Sequence, residues 1–292
     1  MLSNEKINAL INLLDDPDLD VYCRVKDELL EIGKPIIPQL EHAWEGSFNA
    51  ILQQRIENVL HEIQFQSART DLQRWAQKSN AGLLEGSLMI AAYQFPDVDV
   101  LEVEQFIEKL TKDIWIEINS DLTALEKVGV FNRVFFELYQ FRGNKKSFHS
   151  PRNSFINHVI DSKKGSPISL SILYIEVAQR LKIPIYGINL AEHFVLAYTK
   201  LPLEFIEELS QEDILFYINP FNRGTVFQYE DIVKYVNQLK LDLIPAFYLP
   251  CDNHSIIRRL LNNLLFSYQK SGDKDKQEEI LSLLKAIEAN KD

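Results

Sequence analysis

The sequence predicts an α+β protein, mainly helical, in which a small antiparallel sheet packs on one central helix and both chain ends are helical. Three observations predict it. Apolar residues recur at i, i+3, i+4 and i+7 through the first 140 residues and again after residue 229. Runs rich in β-branched and aromatic residues are confined to residues 183–227. Between these two regimes, residues 167–181 are apolar over most of a helical girth, which is the pattern of a helix enclosed by its neighbours.

The elements follow in order. Ile7, Leu10, Ile11 and Leu14 form a first stripe, ended by Asp15-Asp16-Pro17. Val21, Val25, Leu29 and Ile32 form a second, closed by Gly33 with Pro35 beyond it. Ile37, Leu40 and Trp44 make a third; Leu52, Ile56, Val59, Leu60 and Ile63 a fourth. These paired helices resemble HEAT-type repeats, so residues 1–66 are expected to form a HEAT-like helical region. A separate helix is expected over 70–79, a mostly apolar one over 82–95, and another from Val103 towards Trp115. Residues 122–141 carry a further stripe, with Gly129 as a candidate break.

A polar loop then runs from Arg142 to Ser150 and leads into a short helix bearing Phe155, Ile156 and Val159. Ser166 is a suitable N-cap and Pro167 a suitable first residue for the central helix, since that position needs no backbone N–H. Its one polar strip holds Ser169, Glu176 and Arg180. Strands are expected over 183–190, 193–198, 214–218 and 225–227, with an acidic surface excursion over 203–213. Residues 229–239 return to helix. Residues 251–292 form a helical hairpin around Ser271-Gly272-Asp273 that resembles one tetratricopeptide unit; a single unit must dock on the core domain to bury its apolar face.

Composition narrows the function classes. Of 292 residues, 46% are hydrophobic and 25% charged, ordinary for a soluble globular protein, and no run is long and apolar enough to span a bilayer. A net charge of -11 argues against nucleic acid or an anionic membrane as the main partner. The N-terminus lacks the basic start and apolar run of a signal peptide, so the cytoplasm is the expected compartment. Cys23 and Cys251 have no metal-type spacing and read as free thiols. His149, His158, Asp161 and His193 likewise have no recognisable ligand spacing, and no metal or cofactor is expected.

Four segments carry a resemblance: Asn153-Ser154-Phe155-Ile156-Asn157, Gly165-Ser166-Pro167-Ile168-Ser169-Leu170-Ser171, Glu192-His193-Phe194 and Ile218-Asn219-Pro220-Phe221. Together they resemble the transglutaminase-like superfamily, and within it the bacterial SirB-type branch, over roughly residues 80–290. The resemblance implies a core domain over 67–250 and a site where Cys, His and Asp act as nucleophile, base and orienting group. Counting back from Lys182-Ile183-Pro184, the cysteine position falls on Pro167; the histidine falls on His193 and the aspartate on Asn219. Only the histidine keeps its residue type. Proline supplies neither a thiolate nor a backbone N–H for an oxyanion, and losing one such donor costs on the order of 100- to 1,000-fold in rate.

A serine is the remaining candidate nucleophile. Ser169 lies about 200° around the helix from Pro167, whereas Ser171 lies about 40° away but a turn deeper. Ser166 is adjacent, with its hydroxyl expected in the cap. Each has a plainer structural reading: a cap for Ser166, a solvated or capping residue for Ser169, a packing residue for Ser171. Arg152, Asn153 and Asn157 are candidate pocket walls, with helix capping the plainer reading of Asn153. The sequence therefore supports a non-catalytic or regulatory protein with a degenerate core, acting through a protein, peptide or small ligand and through its helical flanks. The competing reading is a hydrolase or acyl transferase using a serine with His193.

Overall fold

The computed structural model describes residues 4–200, 202 and 209–288. The chain divides into two compact units, residues 1–71 and 72–292. The first unit contains α1 (Asn4–Asn12), α2 (Leu19–Ile32), α3 (Ile37–Gly46) and most of α4 (Ala50–Ala76). The stripes read from the sequence meet in one core that includes Ile11, Leu14, Leu29, Leu40, Ile56 and Val59. Asp18 caps α2 by accepting the Asp20 N–H, and Gly33 ends it at φ 72°, a backbone region that favours glycine. Arg55 donates to the carbonyls of Leu14 at 2.6 Å and Asp16 at 2.7 Å, satisfying acceptors that the turn after α1 leaves open.

The boundary between the units falls within α4, which is one continuous helix of 27 residues. This corrects the expectation of a stripe ending near Ile63 and a separate helix over 70–79. Residues 64–69 contain neither Gly nor Pro, so nothing there stops the helix.

The second unit opens with α5 (Leu83–Gln94), α6 (Val100–Trp115) and α7 (Ala124–Asn132), which runs on into a π-helical turn over Arg133–Leu138. Gly129 does not interrupt α7; the change of geometry begins at Arg133 instead. There follow β1 (Arg142–Gly143), α8 (Ile156–Ser162), β2 (Lys164–Gly165) and the central helix α9 (Pro167–Arg180). β1 and β2 form a two-residue parallel pair that the sequence does not indicate, β1 lying in the expected polar loop and β2 in the lead into α9. Then come β3 (Ile185–Ile188), β4 (Val195–Thr199), β5 (Ile214–Asn219), β6 (Thr225–Phe227), α10 (Tyr229–Gln238), α11 (Asn253–Ser271) and α12 (Lys274–Glu288). The expected acidic excursion lies largely outside the described residues. Among the described residues no helix is long and apolar enough to cross a membrane.

Strands β3 to β6 form an antiparallel meander in sequence order. All five residues of β4 are buried. Val195 and Ala197 share a cluster with Ile232 and Val236 of α10, so α10 covers one face of the sheet. Because side chains alternate along a strand, Leu196 and Tyr198 face the other way, where α9 packs against β3 and β4. Ile168, Leu170, Leu173, Tyr174 and Val177 of α9 are fully buried. Burial of each such side chain is worth about 1.5–3 kcal/mol, so α9 is a main source of cohesion.

The far side of α9 meets α7. Phe131 stacks on Tyr174 at 3.8 Å, and the Tyr174 hydroxyl donates to Asn132 Oδ1 at 3.1 Å. Asn132 in turn donates from Nδ2 to the Gly224 carbonyl at 2.9 Å. Gly224 sits at φ +70°, and a Cβ there would lie 2.1 Å from Asn132 Oδ1; both facts demand glycine.

Candidate functional site

The approach to α9 is organised by Asn153, which is 3% exposed. Its Nδ2 donates to the carbonyls of Ser147 at 2.7 Å and Phe148 at 3.0 Å, and its Oδ1 accepts from Asn144 at 2.8 Å. Its own carbonyl accepts from the Ser166 N–H at 3.2 Å and from Ser169 Oγ at 2.6 Å. A buried amide with every partner supplied holds one conformation. Asn153 thus ties the loop over 144–153 to the first turn of α9.

That turn is capped by two serines. Ser166 Oγ accepts the Ser169 N–H at 3.3 Å, and Ser169 Oγ accepts the Ser166 N–H at 2.9 Å, a capping box with serine in both places. Gly165 precedes it because a Cβ there would stand 2.7 Å from Ser169 Oγ. Ser171 donates back to the Pro167 carbonyl at 2.8 Å and is 0% exposed. All three candidate serines therefore have their hydroxyls engaged in the helix and its cap. Of the polar strip of α9, Ser169 is buried, Glu176 is half-buried and only Arg180 is exposed. Ser169 is 1% exposed, Glu176 accepts the Leu84 N–H at 2.9 Å, and Arg180 pairs with Glu104 at 2.5 Å.

A cavity of about 520 Å³ opens at this turn, lined from α9 by Ser166 and Pro167. Asn153 and Ser154 line it from the preceding segment, and Glu192 and Phe194 from the turn before β4. Phe148, His149 and Ser150 line it from the loop before Asn153, and α11 contributes Arg259, Asn263, Phe266 and Ser267. These stand at i, i+4, i+7 and i+8, one stripe of the helix. The sequence indicates a docked hairpin here but not its part in the cavity. The available signal is the four-residue repeat of Arg259, Asn263 and Ser267 along one stripe of the helix.

Arg259 is half-buried and donates from Nη1 to Asn189 Oδ1 at 2.8 Å. Among the described residues it has no carboxylate partner within salt-bridge distance. Burial works against its charge and lowers its proton affinity below the usual arginine value. Cys251 lies close by and is not a reactive thiol: burial pushes its pKa up to about 12, and its Sγ lies 3.3 Å from the Gly187 carbonyl.

His193 and Asn219 have separate partners. Phe194, buried at 1% exposure, is the residue of the Glu192-His193-Phe194 segment that lines the cavity alongside Glu192. His193, its neighbour along the chain, turns towards α10 and lies 5.5 Å from the Tyr235 ring. Burial depresses its pKa below the ordinary imidazole value; Glu192 partly offsets this and Arg259 adds to it. Asn219 uses its Oδ1 to accept the Asn222 N–H at 3.2 Å, capping the turn after β5. No hydrogen bond joins His193 to Asn219 among the described residues.

Of the expected pocket walls, Pro167 and Asn153 line the cavity. Arg152 is exposed and outside it. Asn157 instead lines a separate cleft with Asp99, Asp161 and Lys163, because the turn of α8 points it away from α9. Among the described residues no three His, Cys, Asp or Glu side chains are grouped to hold a metal ion.

The family pattern described as the transglutaminase-like superfamily matches residues 101–262, more than half of the chain. The chain belongs to that superfamily. A UPF0162 protein of Xylella fastidiosa (strain 9a5c) is 28% identical over 200 residues, covering 66% of this chain and 67% of the relative. A UPF0162 protein of Vibrio cholerae is 26% identical over 147 residues, covering 50% of this chain and 51% of the relative. F-box only protein 21 of Mus musculus is 26% identical over 143 residues, covering 48% of this chain but 22% of that protein. The chain therefore spans only part of the curated relatives it matches. No solved structure matches it. The superfamily match takes in α9, the sheet and the start of α11 as far as Asn262, so the transglutaminase-like region holds most of the groups that line the cavity, Arg259 included.

Proposed function

We propose that this transglutaminase-like chain is a non-catalytic binding protein of the SirB type, in which the place of the catalytic centre has become a ligand pocket at the start of α9. One observation carries the reading: the first turn of α9 presents Pro167 and the capping Ser166 to a cavity of about 520 Å³, while Ser169 and Ser171 lie outside its lining. A cavity of that size, lined by aromatic rings and a few polar groups, suits a small ligand or a short peptide segment. Acyl transfer needs a nucleophile with a base in reach. Here Ser166 and Ser169 hold each other, Ser171 holds the Pro167 carbonyl, and His193 packs on Tyr235. The likeness to a segment that makes up 22% of a mouse protein fits a module that works inside longer chains.

The test has two arms. A fluorophosphonate probe, which labels activated serines, should leave Ser166, Ser169 and Ser171 unmodified in the folded protein. A crystallographic soak with a set of small neutral and charged fragments should populate the cavity. Stoichiometric labelling of any of the three serines would overturn the non-catalytic reading. A cavity empty in every soak would overturn the binding one.

A further inference from the structure

The structure assigns a ligand chemistry to this cavity: we propose that it takes a single carboxylate carried on an apolar body, with Arg259 as the group that receives the carboxylate. The inference rests on the pocket reading above and adds what occupies it.

Arg259 is the starting point. Its guanidinium has five N–H donors, of which one is accounted for by Asn189 at 2.8 Å. A half-buried cation normally has an anion beside it, because taking the charge out of water without one is costly. Among the described residues no carboxylate takes that place. Arg259 lines the cavity instead, and Asn189 is the hydrogen-bond acceptor found for its head among the described residues. A planar fork matches a carboxylate with two parallel hydrogen bonds, a geometry that lysine cannot offer.

Two further features narrow the ligand to a single charge. Glu192 lines the same cavity and is exposed, and the chain carries a net charge of -11. Both repel polyanions such as phosphate esters more strongly than a monoanion. The rest of the lining sets the body of the ligand. Phe148 and Phe266 offer rings that are 43% and 47% exposed, and Pro167 and the edge of the buried Phe194 complete the apolar lining. Asn263 is four residues beyond Arg259 on the same stripe and can accept or donate beside the carboxylate. A free aromatic acid and the C-terminal residue of a peptide share this chemistry.

The probes are N-acetyl-L-phenylalanine, its C-terminal carboxamide, and a tetrapeptide ending in phenylalanine with either a free or an amidated terminus. Binding to the full chain is read by calorimetry. The acid should bind more tightly than its amide by on the order of 10- to 100-fold, the worth of one charge-assisted contact. Arg259→Gln should erase that ratio while leaving amide binding in place, and Arg259→Lys should keep part of it. Glu192→Gln should raise affinity for the acid and leave the amide unchanged. Tighter binding of the tetrapeptide acid than of N-acetyl-L-phenylalanine identifies a peptide terminus as the source; the reverse identifies a free acid.

Equal affinity of acid and amide in the wild-type chain, with both lost on filling the cavity by Ser154→Trp, would overturn the carboxylate assignment and leave the pocket reading intact. Absence of binding by all four probes, or binding that survives Ser154→Trp, would overturn both. The wild-type ratio needs no variant to fold, so it decides the proposal by itself.

Discussion

The carboxylate of Glu176, midway along the central helix, accepts the backbone N–H of Leu84 at 2.9 Å in the first turn of α5. A side chain of one helix therefore caps another 92 residues earlier in the chain. The first turn of a helix leaves N–H groups without partners, and an acidic group there is favourable both as acceptor and against the helix dipole. Burial outweighs these effects and raises the Glu176 pKa above 4.5, with the Leu84 N–H and Arg180 opposing.

Removing that acceptor has a definite cost. Glu176→Ala leaves the Leu84 N–H buried without a partner and should lower stability by about 1–3 kcal/mol. Glu176→Gln keeps an acceptor in place. A raised pKa in the folded state means that the proton favours folding, so this group's contribution is full below 4.5 and falls as pH rises through the folded value. Urea unfolding of the wild type and the Gln variant between about pH 4.5 and 7 should show that fall in the wild type alone. Parallel curves would contradict the assignment.

Gly224 and Asn132 provide a second test. Gly224→Ala forces a Cβ into φ +70° and against Asn132 Oδ1, and should cost about 2–3 kcal/mol. Asn132→Ala removes the obstacle but strands the Tyr174 hydroxyl and the Gly224 carbonyl, at a cost of about 1–3 kcal/mol. The double variant should be less destabilised than the sum, since the clash disappears with Asn132. Strict additivity in denaturant unfolding would show that the two residues do not meet as described.

A thiol can be placed at Pro167, the position that the resemblance to the superfamily aligns with its nucleophile. A thiol introduced by Pro167→Cys stands at a helix N-terminus facing the cavity, where its pKa should fall below about 8.5. Cys251 is held up at about 12. Iodoacetamide at about pH 6.5 should therefore alkylate the introduced thiol well ahead of Cys251. Because His193 packs on Tyr235, adding His193→Ala should leave that rate unchanged. A large loss on removing His193 would mean that its ring reaches the cavity after all.

His193 itself reports on its surroundings. Its imidazole should titrate below 6.5 by NMR, chiefly through burial. Arg259→Gln should move that titration up and Glu192→Gln should move it down, since the first repels and the second attracts the proton. The depressed pKa also means that folding favours the neutral ring. The stability it carries is full above 6.5 and is lost as pH falls through the folded value. Thermal unfolding followed from about pH 7 to 5 should lose less stability in His193→Gln than in the wild type.

The helical stripes, the sheet between residues 183 and 227 and the central helix are legible in the sequence because each rests on local periodicity. Leu170, Leu173, Tyr174 and Val177 identify α9 as enclosed before any partner is known. Long-range polar pairing is not legible. Ser169 reads as solvated or capping and Glu176 simply as polar, because their partners, the Asn153 carbonyl and the Leu84 N–H, are backbone groups that carry no residue signature. The orientation of His193 is hidden for a related reason. A shift of one position along an extended strand exchanges the two faces of the sheet, and motif spacing fixes register without fixing which face is covered by which helix. The contribution of α11 depends on where a distant hairpin docks.

That docking makes the cavity a composite of two parts of the chain that are far apart in sequence. The helix carrying Pro167 ends at Arg180, and the helix carrying Arg259, Asn263 and Ser267 begins only at Asn253, after the whole sheet and α10 have intervened. A molecule held between α9 and α11 touches both at once. Any occupant that binds the folded chain alone adds RT ln(1 + [L]/Kd) to its stability, about 2.7 kcal/mol at a hundredfold excess over Kd. A state in which the C-terminal hairpin has lifted away has lost one wall of the cavity, so the same increment opposes that local opening as well as global unfolding. Occupancy of the cavity and retention of the hairpin are thus two readings of one equilibrium.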